Sequence, residues 1–248
     1  MARLFAARAG LYCVSALIAG VLGIASLMAW FLWILRSIQP GQADPVTLWR
    51  SMTFSRQLVF VFGSFFSCWV PILIVARGAC RITTDQLSGR PLSLAYVLVD
   101  MLRFIPAALV YSLIIGFPAM IGSTMLFFPG VLIASLFTLV VPASINEPAG
   151  VFATWRRGVS LATGVYGRLL LISIACCVFM IVVAALRIVG IDQFLSGSRT
   201  MVIATRLGLM YIPGLLLLVL ANICFTLLYM EARNAETNAG LKPAPPHP

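Results

Sequence analysis

Residues 169–186 read LLLISIACCVFMIVVAAL, with Arg168 directly before and Arg187 directly after. A helix of that length rises about 27 Å at 1.5 Å per residue, close to the roughly 30 Å of hydrocarbon in a bilayer. Both sides of such a helix are apolar, so water solvates neither. The pattern recurs: candidate spans fall at 11–35, 57–76, 104–121, 124–144, 169–187 and 207–230, and their interiors hold no Asp, Glu, Lys, Arg or His. Arginines bracket most of them, Arg8 and Arg36 the first, Arg56 and Arg77 the second.

Composition points the same way. The 248 residues are 61% hydrophobic and 10% charged, whereas a soluble domain carries about 25% charged residues. The sequence therefore predicts an all-α fold, a polytopic membrane helical bundle of about six transmembrane helices plus two cytoplasmic interfacial amphipathic helices. Residues 1–231 form a single transmembrane domain on this reading, followed by a proline-rich cytoplasmic tail over 232–248. The apolar run behind Arg3 and Arg8 is much longer than the 7–15-residue core of a secretory signal, so it counts as a span.

Net charge is +10, from 17 Lys+Arg against 7 Asp+Glu. In a soluble chain that excess suggests nucleic acid. Here the arginines sit at span ends, where they set topology and meet anionic lipid headgroups, and no nucleic acid is expected. With the N-terminus inside, Arg3, Arg8, Arg77, Arg81, Arg90, Arg103, Arg156, Arg157, Arg168, Arg233 and Lys242 fall on the cytoplasmic side, eleven against the remaining six (17 − 11). Both termini are expected in the cytoplasm, and the membrane expected is a bacterial inner membrane.

Two cytoplasmic connections carry helical periodicity. After Pro91, Ser93, Tyr96, Asp100 and Arg103 draw a polar stripe on an apolar rod. Farther on, Phe152, Trp155, Val159, Ala162 and Tyr166 form an apolar stripe with Arg156, Arg157, Ser160 and Thr163 opposite. Each reads as an amphipathic helix lying in the interface, the alternative being a cytoplasmic extension of the next span. Arg156, Arg157, Arg168, Trp155, Phe152, Arg77, Arg81 and Arg103 are thus the candidate contacts to lipid or to a partner. Ser15, Ala19 and Gly23, and likewise Gly130 and Ala134, make small-residue ridges for close helix packing. Asn222, near the middle of the sixth candidate span, is expected to make an interhelical hydrogen bond.

Little catalytic equipment is legible. A charge at mid-membrane costs about 2.5–3.5 kcal/mol, and no span spends it. The single histidine is His247 and the single lysine Lys242, which removes a histidine-based nucleophilic site and a phosphate-loop lysine. The six cysteines show no zinc spacing, and Cys176–Cys177 is the only adjacent pair. Asp44, Asp85, Asp100, Glu147 and Asp192 lie on different connections. Asp44 before Pro45 looks like a helix cap, and Asp100 is within reach of Arg103. No enzyme activity, cofactor or metal is expected.

The segment 127–172, FFPGVLIASLFTLVVPASINEPAGVFATWRRGVSLATGVYGRLLLI, resembles the membrane domain of the bacterial glycerophosphoryl diester phosphodiesterase family and related multi-span proteins. Glu147, Gly150, Arg156, Arg157, Leu161, Gly164, Arg168, Leu169 and Leu170 match in place, as does the ending FTLLYMEAR at 225–233. Val151 stands where that family usually has proline, and Gly158 where it usually has serine. Those enzymes carry their metal ligands on a separate soluble barrel, so the resemblance implies a membrane fold and no activity. The function expected is a non-catalytic membrane subunit or scaffold packing against membrane proteins and lipids. The alternative is a transporter or lipid-handling permease, suggested by prolines within the spans.

Overall fold

The structure is a computed structural model that describes residues 9–18, 20–21, 25, 52–119, 121, 127–147, 150–186 and 199–238. Most of the first candidate span, the Asp44 cap, the ridge positions Ala19 and Gly23, and residues 239–248 of the tail lie outside those residues. Among the described residues every regular element is helical.

After α1 (Ala9–Ile18) comes α2 (Phe54–Leu87), a 34-residue rod that continues through Pro71. At 1.5 Å per residue it measures about 51 Å, well beyond one bilayer's hydrocarbon, so the span expected to end at 76 continues as helix past Arg77. Gly89, with φ +67°, turns the chain back; this left-handed geometry suits a residue without a Cβ. The side chain of Ser93 then accepts from the Tyr96 N–H and caps α3 (Leu94–Arg103). Helix α3 lies along the end of α2, with Val97 and Met101 buried. Contact is so close that a Cβ on Gly78 would sit 2.8 Å from the Met101 sulfur.

Pro106 has no N–H to offer the Leu102 carbonyl. The chain accordingly bends by 48° at Phe104 before α4 (Ile105–Tyr111) and a π-helical turn, Ser112–Gly116. Pro142 acts likewise toward Thr138, and the fourth candidate span is broken there into α5 (Phe127–Phe137) and α6 (Val140–Asn146). Helix α7 (Val151–Gly164) meets α8 (Tyr166–Leu186) across the single residue Val165. Helix α9 (Arg199–Asn238) is 40 residues long and carries Pro213 inside it. Helix α9 runs on past the expected boundary at 231 and takes the first seven tail residues (232–238) with it.

Among the described residues α2, α8 and part of α9 are by length and composition apolar enough to cross a membrane, and the bent pair α3–α4 makes a fourth if counted as one. The two amphipathic connections both run into the next helix with one residue between them. Among the described residues the core around them forms three clusters: Tyr12, Ile82, Val97 and Ile223; Cys80, Phe104, Tyr111 and Val140; Leu139, Leu161, Leu169 and Tyr229. All involve the C-terminal stretch of α2, helix α6 or the C-terminal half of α9. Helix α8, in contrast, has only 6% of its apolar window covered.

Candidate functional site

Polar chemistry gathers at the ends of α2, α6 and α9, and arginines organise it. Arg77 donates from Nε to Asp100 Oδ2 at 2.7 Å and from Nη2 to Oδ1 at 3.0 Å. Its remaining nitrogen, Nη1, donates to Ser144 Oγ at 2.7 Å, and its guanidinium lies 4.9 Å from the Phe104 ring centroid. One side chain thus joins α2 to α3, to the bend and to α6. The expected pairing of Asp100 with Arg103 does not form: Asp100 turns inward to Arg77, where a planar fork meets both carboxylate oxygens, and Arg103 is exposed.

One turn farther along α2, Arg81 donates from Nε to Asp85 Oδ2 at 2.8 Å. It lies over the Tyr96 ring at 4.7 Å and donates to the Tyr96 hydroxyl. A third node involves residues far apart in sequence. Arg157 donates from Nε to Glu147 Oε2 at 2.8 Å, and from Nη1 and Nη2 to Glu236 at 3.1 and 2.6 Å. Glu147 also accepts from the Tyr229 hydroxyl at 2.8 Å and lies 3.7 Å from Arg233 Nε. Burial alone would lower the Arg157 pKa, but the hydrogen bonds it donates to Glu236 and Glu147 outweigh it and hold the guanidinium above its ordinary value.

The remaining contact candidates divide by exposure. Arg168 pairs with Glu231, both mostly exposed. Among the described residues Arg103 and Arg156 are exposed and make no ion pair. Trp155 is half-buried and stacks on Phe137 with 6.3 Å between ring centroids. Phe152 is 64% exposed, although the apolar stripe placed it beside Trp155. The face that α7 buries is Thr154, Gly158, Leu161 and Ala162, rotated from the one the large side chains suggested. Gly158 explains the rotation. A Cβ there would lie 2.7 Å from the Val140 Cα, so the backbones of α7 and α6 touch through it. A hydropathy stripe gives weight to large side chains and none to a glycine at a close approach.

Of the packing candidates, Ser15, Gly130, Ala134 and Asn222 lie within the described residues. Gly130 is buried and Ala134 half-buried; Ser15 is buried and its hydroxyl donates to the Tyr12 carbonyl. Asn222 Oδ1 accepts from the Cys80 thiol at 3.7 Å while its Nδ2 donates to the Leu218 carbonyl. Its bond to α2 is therefore made beside the Arg77–Arg81 turn, at the same end of the bundle as the ion pairs.

Comparison of the chain with family profiles, with curated proteins and with solved structures finds no match. What the site does follows from its own contacts. Arg77 and Arg157 each bind one helix to two other parts of the chain, and Arg81 closes a smaller pair. Such groups hold structure; among the described residues no cluster of three or more His, Cys, Asp or Glu is placed to take a metal ion. The four-residue spacing of Arg81 and Asp85 was a signal for that pair, but the sequence reading did not name it. No such signal exists for Arg157 with Glu236, which are 79 residues apart.

Proposed function

We propose that the chain is a non-catalytic integral membrane protein, a subunit or scaffold that packs against other membrane proteins and against lipids with anionic headgroups. On this reading it is a multi-pass protein of a bacterial inner membrane, has six spans with both termini in the cytoplasm, and is related to the membrane domain of the glycerophosphoryl diester phosphodiesterases. One observation carries the reading: the guanidiniums of the interior are occupied in fastening helices to each other, while α8 presents an almost uncovered apolar surface. A rigid body with one greasy flank suits assembly, since lipid or a neighbouring span covers what the chain leaves bare.

The test is affinity purification in mild detergent with mass spectrometry of what comes along. The expected result is a stoichiometric membrane-protein partner whose recovery falls when polar residues replace Leu171, Val178 and Val182, which are exposed on α8. Recovery of the chain alone at every detergent concentration overturns the proposal. The bend at Phe104, the π-helical turn and the break before α6 favour a second reading, a permease with discontinuous helices. Uptake of a solute or lipid by proteoliposomes carrying the purified chain alone decides for that alternative.

A further inference from the structure

We infer that the cleft between the ends of α2, α6 and α9 binds a phosphate group. The cleft has a volume of about 570 Å³, within the 300–1,000 Å³ usual for ligand pockets. Arg81, Arg90 and Arg233 line it together with the neutral hydrogen-bonding side chains of Ser88, Asn146 and Asn234, and no carboxylate is in its wall. The acids stand behind the arginines. Asp85 holds Arg81 at 2.8 Å and lies 3.9 Å from Arg90; Glu147 lies 3.7 Å from Arg233. Those two longer separations exceed hydrogen-bond length, and among the described residues neither the Arg90 nor the Arg233 side chain makes a hydrogen bond. Two guanidinium forks are therefore oriented by nearby charge with their N–H groups unspent.

The three arginines come from different parts of the chain: α2, the turn after it, and α9. Donors converging from three directions suit a tetrahedral anion better than a flat carboxylate, which is served by one fork. Room remains beside a phosphate for whatever carries it, either a lipid headgroup or a soluble phosphorylated molecule. The C-terminal ends of α2 and α6 border the cleft, and helix C-termini disfavour an anion. The arginines are then the main source of attraction, and removing Arg90 and Arg233 leaves only Arg81, which Asp85 and Tyr96 already engage.

The experiment uses the purified full chain. Inorganic phosphate is titrated against thermal unfolding in neutral detergent, with chloride at matched ionic strength as reference. In parallel, protein from nanodiscs of phosphatidylcholine with or without phosphatidylglycerol is weighed by native mass spectrometry. Phosphate is expected to raise the midpoint where chloride does not. Arg90→Gln with Arg233→Gln should weaken the response at least about tenfold, or ~1.4 kcal/mol, while Arg56→Gln, exposed at the far end of α2, leaves it intact. Phosphatidylglycerol retained by the wild type and lost from the double variant identifies the lipid source; a phosphate response without retained lipid identifies the soluble one. An equal response to chloride, or a double variant that responds as the wild type does, overturns the inference. Arg90→Gln alone guards against a folding defect, because that side chain is 66% exposed; an unchanged response in this variant overturns the inference as well.

Discussion

Replacing Arg77 with methionine tests the central fastening of the bundle. The substitution keeps the aliphatic stem and removes a guanidinium that makes three hydrogen bonds, two to Asp100 and one to Ser144, and lies against the Phe104 ring. The side chains of Arg77 and Asp100 are 11% and 18% exposed, so water screens the pair weakly. Removing one partner of a buried pair costs about 3–5 kcal/mol, because the other charge is left uncompensated. Asp100→Leu should cost a similar amount for the mirror reason. The double variant should be milder than the sum by about 0.5–3 kcal/mol, the range found for directly coupled neighbours. The assay is unfolding in mixed micelles by graded addition of a denaturing detergent, followed by tryptophan fluorescence. If Arg77→Met unfolds within about 0.5 kcal/mol of the wild type, or if the two single effects simply add, Arg77 does not tie α2 to α3 and the placement of α3 fails with it.

Further outcomes are expected from the same assay and one labelling experiment. Gly158→Ala should cost about 1–3 kcal/mol by overpacking against the Val140 backbone, whereas Gly164→Ala, with nothing within 4 Å of its Cβ, should be close to neutral. Trp155→Ala should cost about 3 kcal/mol or more through the lost contact with Phe137, and Phe152→Ala less than about 1 kcal/mol; equal losses would restore the sequence-predicted stripe. Glu147→Gln should destabilise more than Glu236→Gln, by about 1 kcal/mol, since Glu147 serves Arg157, Tyr229 and Arg233 while Glu236 serves Arg157. Arg156→Cys, exposed on α7, should react with an impermeant thiol reagent only from the cytoplasmic side of inverted vesicles; reaction in intact cells reverses the orientation.

The helical class was legible because apolar runs without charges leave a chain few other options. Breaks were legible in principle as well: Pro106 and Pro142 each withhold one N–H, and the bends appear where those bonds are missing. Lengths were not, since hydropathy records where the hydrocarbon stops and not where the hydrogen-bonded helix stops. Thus α2 continues beyond Arg77 and α9 beyond Glu231. The spacing of Asp100 and Arg103 along α3 suggested the wrong partner for Asp100. Asp100 has Arg103 one turn away in sequence and Arg77 across a helix–helix contact, and only tertiary packing decides between them. Arg157 is the plainest case. Its charge looked free for lipid or a partner because both acids that occupy it are contributed by other parts of the chain.

The continuity of α2 has a mechanical consequence. Residues 77–87 extend about 16 Å past the last purely apolar stretch, so the rod acts as a lever whose short arm carries Arg77 and Arg81. A tilt of about 10° about the base of that arm would swing the Leu87 tip by roughly 3 Å and leave Arg77, at the base, almost in place. Tipping of a long helix would therefore be felt at the Gly89 turn before it is felt at the Arg77 clasp.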